Sequence, residues 1–318
     1  MTDTASQLIY ARNLRGLDET RQQHARAVAL RREVRVIRGA YFDEAAWEQY
    51  DPRERYVLKV RAVAETRRNR PVISHWSAAA VHRLPVIGDW PTSVHVTQGT
   101  MTGTRSRNGV IRHSLSLDDE DVVEVDGMLV TSVARTVLDM AVLSPLMDAV
   151  TIADFALHLD RFGRYPPLTT RDELQRLWQR RLPFRGHARS LDVIEFAETG
   201  ADTPIESVSR VTMRVIRCPR PLLQSSFSDA EGFIGETDFS WPQYGIVGEA
   251  DGDRKYLDER FRQGRSAEQV FLDEKVREDR LRALPRKVAR WPWSVAVRPD
   301  ALRRRLSGVG LPMGVEWR

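Results

Sequence analysis

Residues 236–256 read ETDFSWPQYGIVGEADGDRKY, and this run constrains the chain more than any other. Stretches 236–241 and 245–251 read as two strands joined through Pro242, Gln243 and Tyr244. A symmetric register centres between Gln243 and Tyr244, which sets Asp238 directly opposite Glu249 with Cβ atoms about 5 Å apart. Side chains alternate along a strand, so Glu249 and Asp251 share a face with Val247 while Ile246, Gly248 and Ala250 take the other. Three carboxylates are expected to converge.

Like charges facing each other across a sheet are unfavourable, so the pattern calls for a cation. Hard oxygen donors of this kind suit Mg²⁺ or Mn²⁺, held by one or two carboxylates together with water and phosphate oxygens. Such an ion polarises a phosphoryl oxygen and lowers the pKa of its bound water. A nearby lysine would orient that water or offset developing charge. The plainer reading makes the carboxylates a solvated hairpin face paired with Arg254 or Lys255. The surroundings favour the first reading: Glu206 lies on an expected upstream helix, and downstream EQVFLDEKVREDRLRAL aligns Phe271, Lys275, Glu278 and Arg282 on one stripe.

Charge distribution points the same way. The chain of 318 residues has a net charge of +5, yet residues 1–40 carry eight arginines against four acids, and residues 280–318 carry ten basic residues against two acids. Basic ends around an acidic middle suit a polyanionic partner touched at separate places. Of 49 cationic residues only Lys59, Lys255, Lys275 and Lys287 are lysine. Where arginine is the default, a lysine suggests a task needing a compact ammonium with a movable pKa. The single cysteine, Cys218, excludes an internal disulfide framework, and no Cys/His cluster has zinc spacing. A reducing, cytoplasmic setting is expected, with neither a secretion signal at the start nor an apolar run long enough to span a membrane.

Along the chain, Leu8, Ile9 and Leu14 read as a short helical opening, and Asp18 as the cap of a helix over ETRQQHARAVALRRE. VRVIRGAYF reads as a basic hairpin turning at Gly39. Helix, helix, hairpin outlines a winged helix, with Arg35 and Arg38 on the wing. Further on, Asp126-Gly127 marks a hairpin leading into a helix capped by Thr131 or Ser132. His75 and His82 are seven apart on one helix face with no third ligand at hand, so packing or capping is expected of them. Thr203-Pro204 opens a helix with Ile205, Val208, Val211 or Thr212, and Val215 at helical spacing. Trp291 and Trp293 would close a core or stack on bases.

From TPIESVSR to RKVARWPW, roughly the last 120 residues, the chain resembles the PD-(D/E)xK restriction-endonuclease-like superfamily, in the branch similar to very short patch repair endonucleases. The resemblance implies an αβββαβ core in which Asp238 and Glu249 are metal ligands and Glu206 completes the site. Asp251 belongs to an E-x-D-G variant and stands where the superfamily's central motif has lysine, so Lys255 or Lys275 would have to substitute. No histidine follows EADG, and Pro285 interrupts LRALPRKVARW, two further departures. SHWSAAAVHRLP and TSVARTVLDMA, with the winged-helix outline before them, resemble AbiEi-like antitoxin proteins, which implies DNA binding or self-repression by the first half.

The expectation is therefore an α+β protein with a winged-helix-like module over 1–45, a mixed α/β domain over 46–195 and an endonuclease-like domain over 196–318. Its expected activity is Mg²⁺-dependent hydrolysis of DNA phosphodiester bonds, with Arg277, Arg280, Arg303 and Arg304 on the phosphate backbone. The alternative is a non-catalytic, DNA-binding repressor of the antitoxin type. Expected partners are DNA, a toxin or regulatory protein, and a second copy of the chain.

Overall fold

The computed structural model describes residues 8–10, 17–67, 69–99, 105–160, 163–251, 276–277, 279–281 and 283–317. The architecture is α+β, with helices distributed among three sheets. The chain forms two compact units, Met1–Ser144 with Thr169–Leu191, and Pro145–Leu168 with Asp192–Arg318.

The first unit opens with β1 (Ile9–Tyr10), α1 (Leu17–Ala29), β2 (Glu33–Ile37) and β3 (Ala40–Asp43), the strands ordered β1-β3-β2. The described part of the expected helical opening is thus a strand, and Leu14 lies outside the described residues. Leu8 and Tyr10 are two apart and enter one core with Val36, Ala40 and Phe42, which a period of two delivers and a helix does not. Helix α1 begins at Leu17, so Asp18 lies inside it instead of capping it. The basic hairpin forms as expected, with Gly39 at φ +85° in its turn and Arg35 and Arg38 exposed.

Next come α2 (Glu44–Gln49) and α3 (Pro52–Thr66). Helix α3 starts with a capping box between Asp51 and Glu54 and has Pro52 in its first turn, where no amide partner is lost. It serves two cores at once. Leu58 and Ala62 pack against the first sheet, while Tyr56, Val60 and Val63 pack against the second.

That second sheet is built from β4 (Val72–Ile73), β5 (Val94–Thr97), β6 (Arg105–Arg107), β7 (Val110–His113), β8 (Val122–Val125) and β9 (Met128–Thr131), in the order β6-β7-β5-β4-β9-β8. Helix α4 (His75–Val81) follows β4, and α5 (Val133–Leu143) follows β9. Asp126 and Gly127 turn between β8 and β9 with φ of +48° and +78°, the geometry a tight hairpin requires. Ser132 is the cap of α5, its Oγ accepting the Arg135 amide at 3.2 Å.

Helix α6 (Leu146–Leu157) belongs to the second unit, and the chain then returns to the first for α7 (Arg171–Arg181), capped by Thr170. Helix α8 (His187–Phe196) carries it back to the second, where α9 (Pro204–Val215) begins at Pro204 as the sequence requires. Ile205, Val208, Val211 and Thr212 are buried. Val215, expected on the same stripe, is exposed because the helix ends there and Ile216 takes the buried place.

The second unit's sheet runs β10 (Leu222–Asp229), β11 (Gly232–Trp241), β12 (Ile246–Asp251) and β13 (Lys287–Pro292), in that spatial order. The first three are an antiparallel meander, and β13 lies parallel to β12. One face carries Phe239, Trp241 and Trp291, all fully buried, with the Trp291 indole N–H donating to Ser209 Oγ of α9 at 2.8 Å. Trp291 therefore closes the core. Val247 packs with Phe227, Ile234 and Leu281 in a separate cluster. The unit ends with α10 (Trp293–Ala296) and α11 (Pro299–Gly308).

Candidate functional site

The hairpin pairs Phe239 with Gly248, Ser240 with Val247 and Trp241 with Ile246, which is the register centred between Gln243 and Tyr244. Gly245, at φ +62°, lets the chain leave the turn Pro242–Tyr244 and re-enter the sheet. One more step would set Asp238 against Glu249. The paired ladder stops before that step, and Asp238 Oδ2 instead accepts the amide N–H of Ala250 at 2.7 Å. Asp238 thus sits where β11 and β12 part, bonded to the residue that follows Glu249.

The expected meeting of three carboxylates is corrected at this point. Glu249 is 5% exposed, and a guanidinium holds each of its oxygens: Arg277 Nη2 at 2.8 Å from Oε1, and Arg290 Nη2 on Oε2. Arg290 arrives from β13, whose parallel register places it beside Glu249. Arg277 also donates to the Glu236 carbonyl at 3.1 Å. The buried charge of Glu249 is thus offset by arginine, as a carboxylate in an apolar sheet must be by something.

Glu206, in the first turn of α9, groups with Asp238. It is 2% exposed and accepts from Thr203 Oγ at 2.6 Å, from Gln224 Nε2 at 2.9 Å and from the Asp202 amide at 3.0 Å. Burial first, and the neighbouring charge of Asp238 second, push its carboxyl up to about 8. A carboxyl so placed keeps its proton at neutral pH. Asp251 closes β12 and is exposed.

As they stand, these donors do not fit a divalent ion. Glu249 is held by two arginines, Glu206 favours its protonated form, and among the described residues no three His, Cys, Asp or Glu side chains are placed to hold a metal. Lys255 and Lys275 lie outside the described residues, as do Phe271, Glu278 and Arg282.

The arginines expected on phosphate divide into two groups. Arg280 is clamped on Asp229, Nε to Oδ2 at 2.9 Å and Nη2 to Oδ1 at 2.5 Å, and Arg277 is on Glu249. Arg35, Arg38, Arg303 and Arg304 are exposed on the basic hairpin and on α11.

A second polar cluster, in the first unit, was not visible in the sequence. His75 at the start of α4 stacks on His113 of β7 with ring centroids 3.6 Å apart, and His113 Nε2 lies 2.9 Å from His95 Nδ1 of β5. One of those two nitrogens carries the proton and the other accepts it. Burial pushes all three imidazoles down, His75 and His113 to about 3 and His95 to about 4, each depressed further by a neighbouring histidine. His75 Nδ1 is also 2.9 Å from Ser74 Oγ, and among the described residues no metal-holding group is formed. His82 bonds the Thr131 carbonyl through Nε2 at 2.7 Å, so it fastens the end of α4. Beside the cluster, buried Arg135 joins Asp139 at 2.9 Å and Asp121 at 2.7 Å.

No protein-family model matches this chain, and no curated protein matches it. Among the described residues no helix is long and apolar enough to cross a membrane.

Proposed function

We propose that the protein is DNA-associated and that its second unit keeps an endonuclease-like framework. One observation carries this reading: the order α9, β10, β11, β12, then β13 parallel to β12, with Asp238 where β11 and β12 separate and its charge acting on Glu206 of α9. That arrangement agrees with the αβββαβ plan of the PD-(D/E)xK superfamily. Hydrolysis of DNA phosphodiester bonds is the activity such an acid cluster would serve, with Mg²⁺ or Mn²⁺ polarising the phosphoryl group when bound. In the described arrangement the donors do not fit that ion, so no hydrolytic step follows from it.

A specific contact favours the second reading. Glu249 is neutralised by Arg277 and Arg290, and Asp251 stands where the superfamily's motif has lysine, so the framework suits a non-catalytic DNA-binding regulator of the antitoxin type. The exposed arginines of the hairpin and of α11 supply sequence-independent phosphate contacts in either case. A cytoplasmic setting, a toxin or regulatory partner and self-association belong to the same proposal.

Plasmid nicking separates the readings. A nuclease converts supercoiled plasmid with Mg²⁺ or Mn²⁺ and loses this on Asp238→Ala. A regulator binds duplex undiminished in EDTA and cleaves with neither ion. Equal nicking by wild type and Asp238→Ala would remove Asp238 from the account.

A further inference from the structure

We propose that the groove between α10 and α11 is the docking site of a protein partner that presents an acidic, amphipathic helix. The proposal goes beyond the DNA-associated reading and stands without it.

Two adjoining clefts, of about 460 and 440 Å³, make up the groove and meet at Ala301 and Arg304. Ala301, Arg304, Arg305 and Gly308 recur at helical spacing, so they form one stripe of α11. Val295 of α10 and Val309, just past α11, are half-buried and give the larger cleft apolar walls. Its floor is open, since a Cβ at Gly308 would meet no atom within 4 Å. An occupant gains from such a lining only by bringing apolar groups of its own.

Charge complementarity fixes the rest of the partner's chemistry. Arg298, Arg304 and Arg305 line the clefts against a single carboxylate, Asp300. Among the described residues none of these three guanidinium groups has an ion pair or a hydrogen bond. In the same unit Arg210, Arg214, Arg220 and Arg280 are each met by an acid. Carboxylates from outside would do the same at the groove, in the fork geometry that guanidinium favours. Ala301 to Gly308 spans two turns, about 10 Å, which a partner helix matches with apolar residues at i, i+3 or i+4, and i+7. A phosphate backbone would satisfy the arginines but leave Val295, Ala301 and Val309 uncovered, so the lining favours a protein over a nucleic acid. Arg304 is also among the arginines assigned to phosphate above, so duplex and partner are expected to compete there.

The test uses the full chain and a display library of helical peptides about 16 residues long, or four to five turns. The library is selected on wild type and counter-selected on Gly308→Leu, which fills the groove. Enriched peptides are expected to carry aspartate or glutamate beside an apolar stripe. By fluorescence anisotropy they are expected to lose at least about tenfold in affinity on Gly308→Leu and on Arg304→Glu. The open space at Gly308 predicts a wild-type melting temperature for Gly308→Leu; if it melts lower, Arg304→Glu, changed at an exposed side chain, takes over the counter-selection. Failure of any peptide to distinguish wild type from these variants would overturn the proposal, as would enriched peptides with no acidic bias. A short duplex is expected to bind Gly308→Leu as it binds wild type. A tenfold loss of duplex affinity on Gly308→Leu would make the groove a seat for nucleic acid and overturn the protein partner.

Discussion

Gly248 precedes Glu249 on β12 and faces two buried tryptophans. A Cβ at this position would stand 2.7 Å from Trp291 Cη2, 3.0 Å from Trp291 Cζ3 and 3.2 Å from Trp241 Cζ3. Trp291 is fixed by its bond to Ser209, and Trp241 by its indole N–H on the Pro219 carbonyl at 2.7 Å. Neither ring can step aside without breaking a buried hydrogen bond, so Gly248→Ala overpacks the core. Overpacking of this kind costs about 1–3 kcal/mol. For a unit of this size each kcal/mol lowers the melting temperature by about 2–4 °C, so a fall of about 2–12 °C is expected. Thermal unfolding followed by tryptophan fluorescence measures it, with Gly308→Ala as the control in the same unit. Nothing lies within 4 Å of a Cβ at Gly308, near the end of α11, so that variant is expected to be neutral or slightly stabilising. A wild-type melting temperature for Gly248→Ala would mean the rings do not approach the strand as closely as described.

Acid should unfold the first unit early. His75, His95 and His113 resist protons down to about 3–4 in the folded chain but take them near 6.5 when unfolded, so the unfolded state binds more protons throughout that window. Their contribution is intact above pH 6.5 and is lost as pH falls, at about 1.4 kcal/mol per pH unit for each ring, with coupling among the three altering the sum. Urea midpoints between pH 7 and 4.5 should drop steeply and flatten in His95→Gln/His113→Gln; a flat wild-type profile would contradict the buried cluster. In the second unit, Arg210→Met should cost about 3–5 kcal/mol in urea unfolding, since it strands Asp154, buried beside it with Nη1 to Oδ2 at 2.5 Å. A loss under about 1 kcal/mol would show that Asp154 is satisfied by its other donors, among them the Glu198 amide at 2.7 Å.

Local chemistry made much of this legible in the sequence. The 239/248 register follows from symmetry about Gln243 and Tyr244, Pro204 fixes the start of α9, and Asp126-Gly127 fixes a hairpin because few other pairs accept two positive φ angles. What escaped depends on long-range pairing. Arg290 reaches Glu249 through a parallel strand that begins 36 residues after β12 ends, and no local pattern announces that register. The three stacked histidines come from α4, β5 and β7, so their spacing in the chain carries no signal. Strand β1 looked helical because two residues are too few to display a period. The ladder's end before Asp238 depends on a side chain outcompeting the backbone for one amide, a choice only packing decides.

The most direct test of the account is salt-dependent binding of a short duplex, read by fluorescence anisotropy, for wild type and for Arg303→Ala/Arg304→Ala. Both residues are exposed on α11. The account predicts that log affinity falls linearly with log salt, with a slope shallower by about 2 in the double variant and with no preference among unrelated duplexes in that loss. Wild-type protein that binds no duplex at low salt, or binds with no salt dependence, would contradict it.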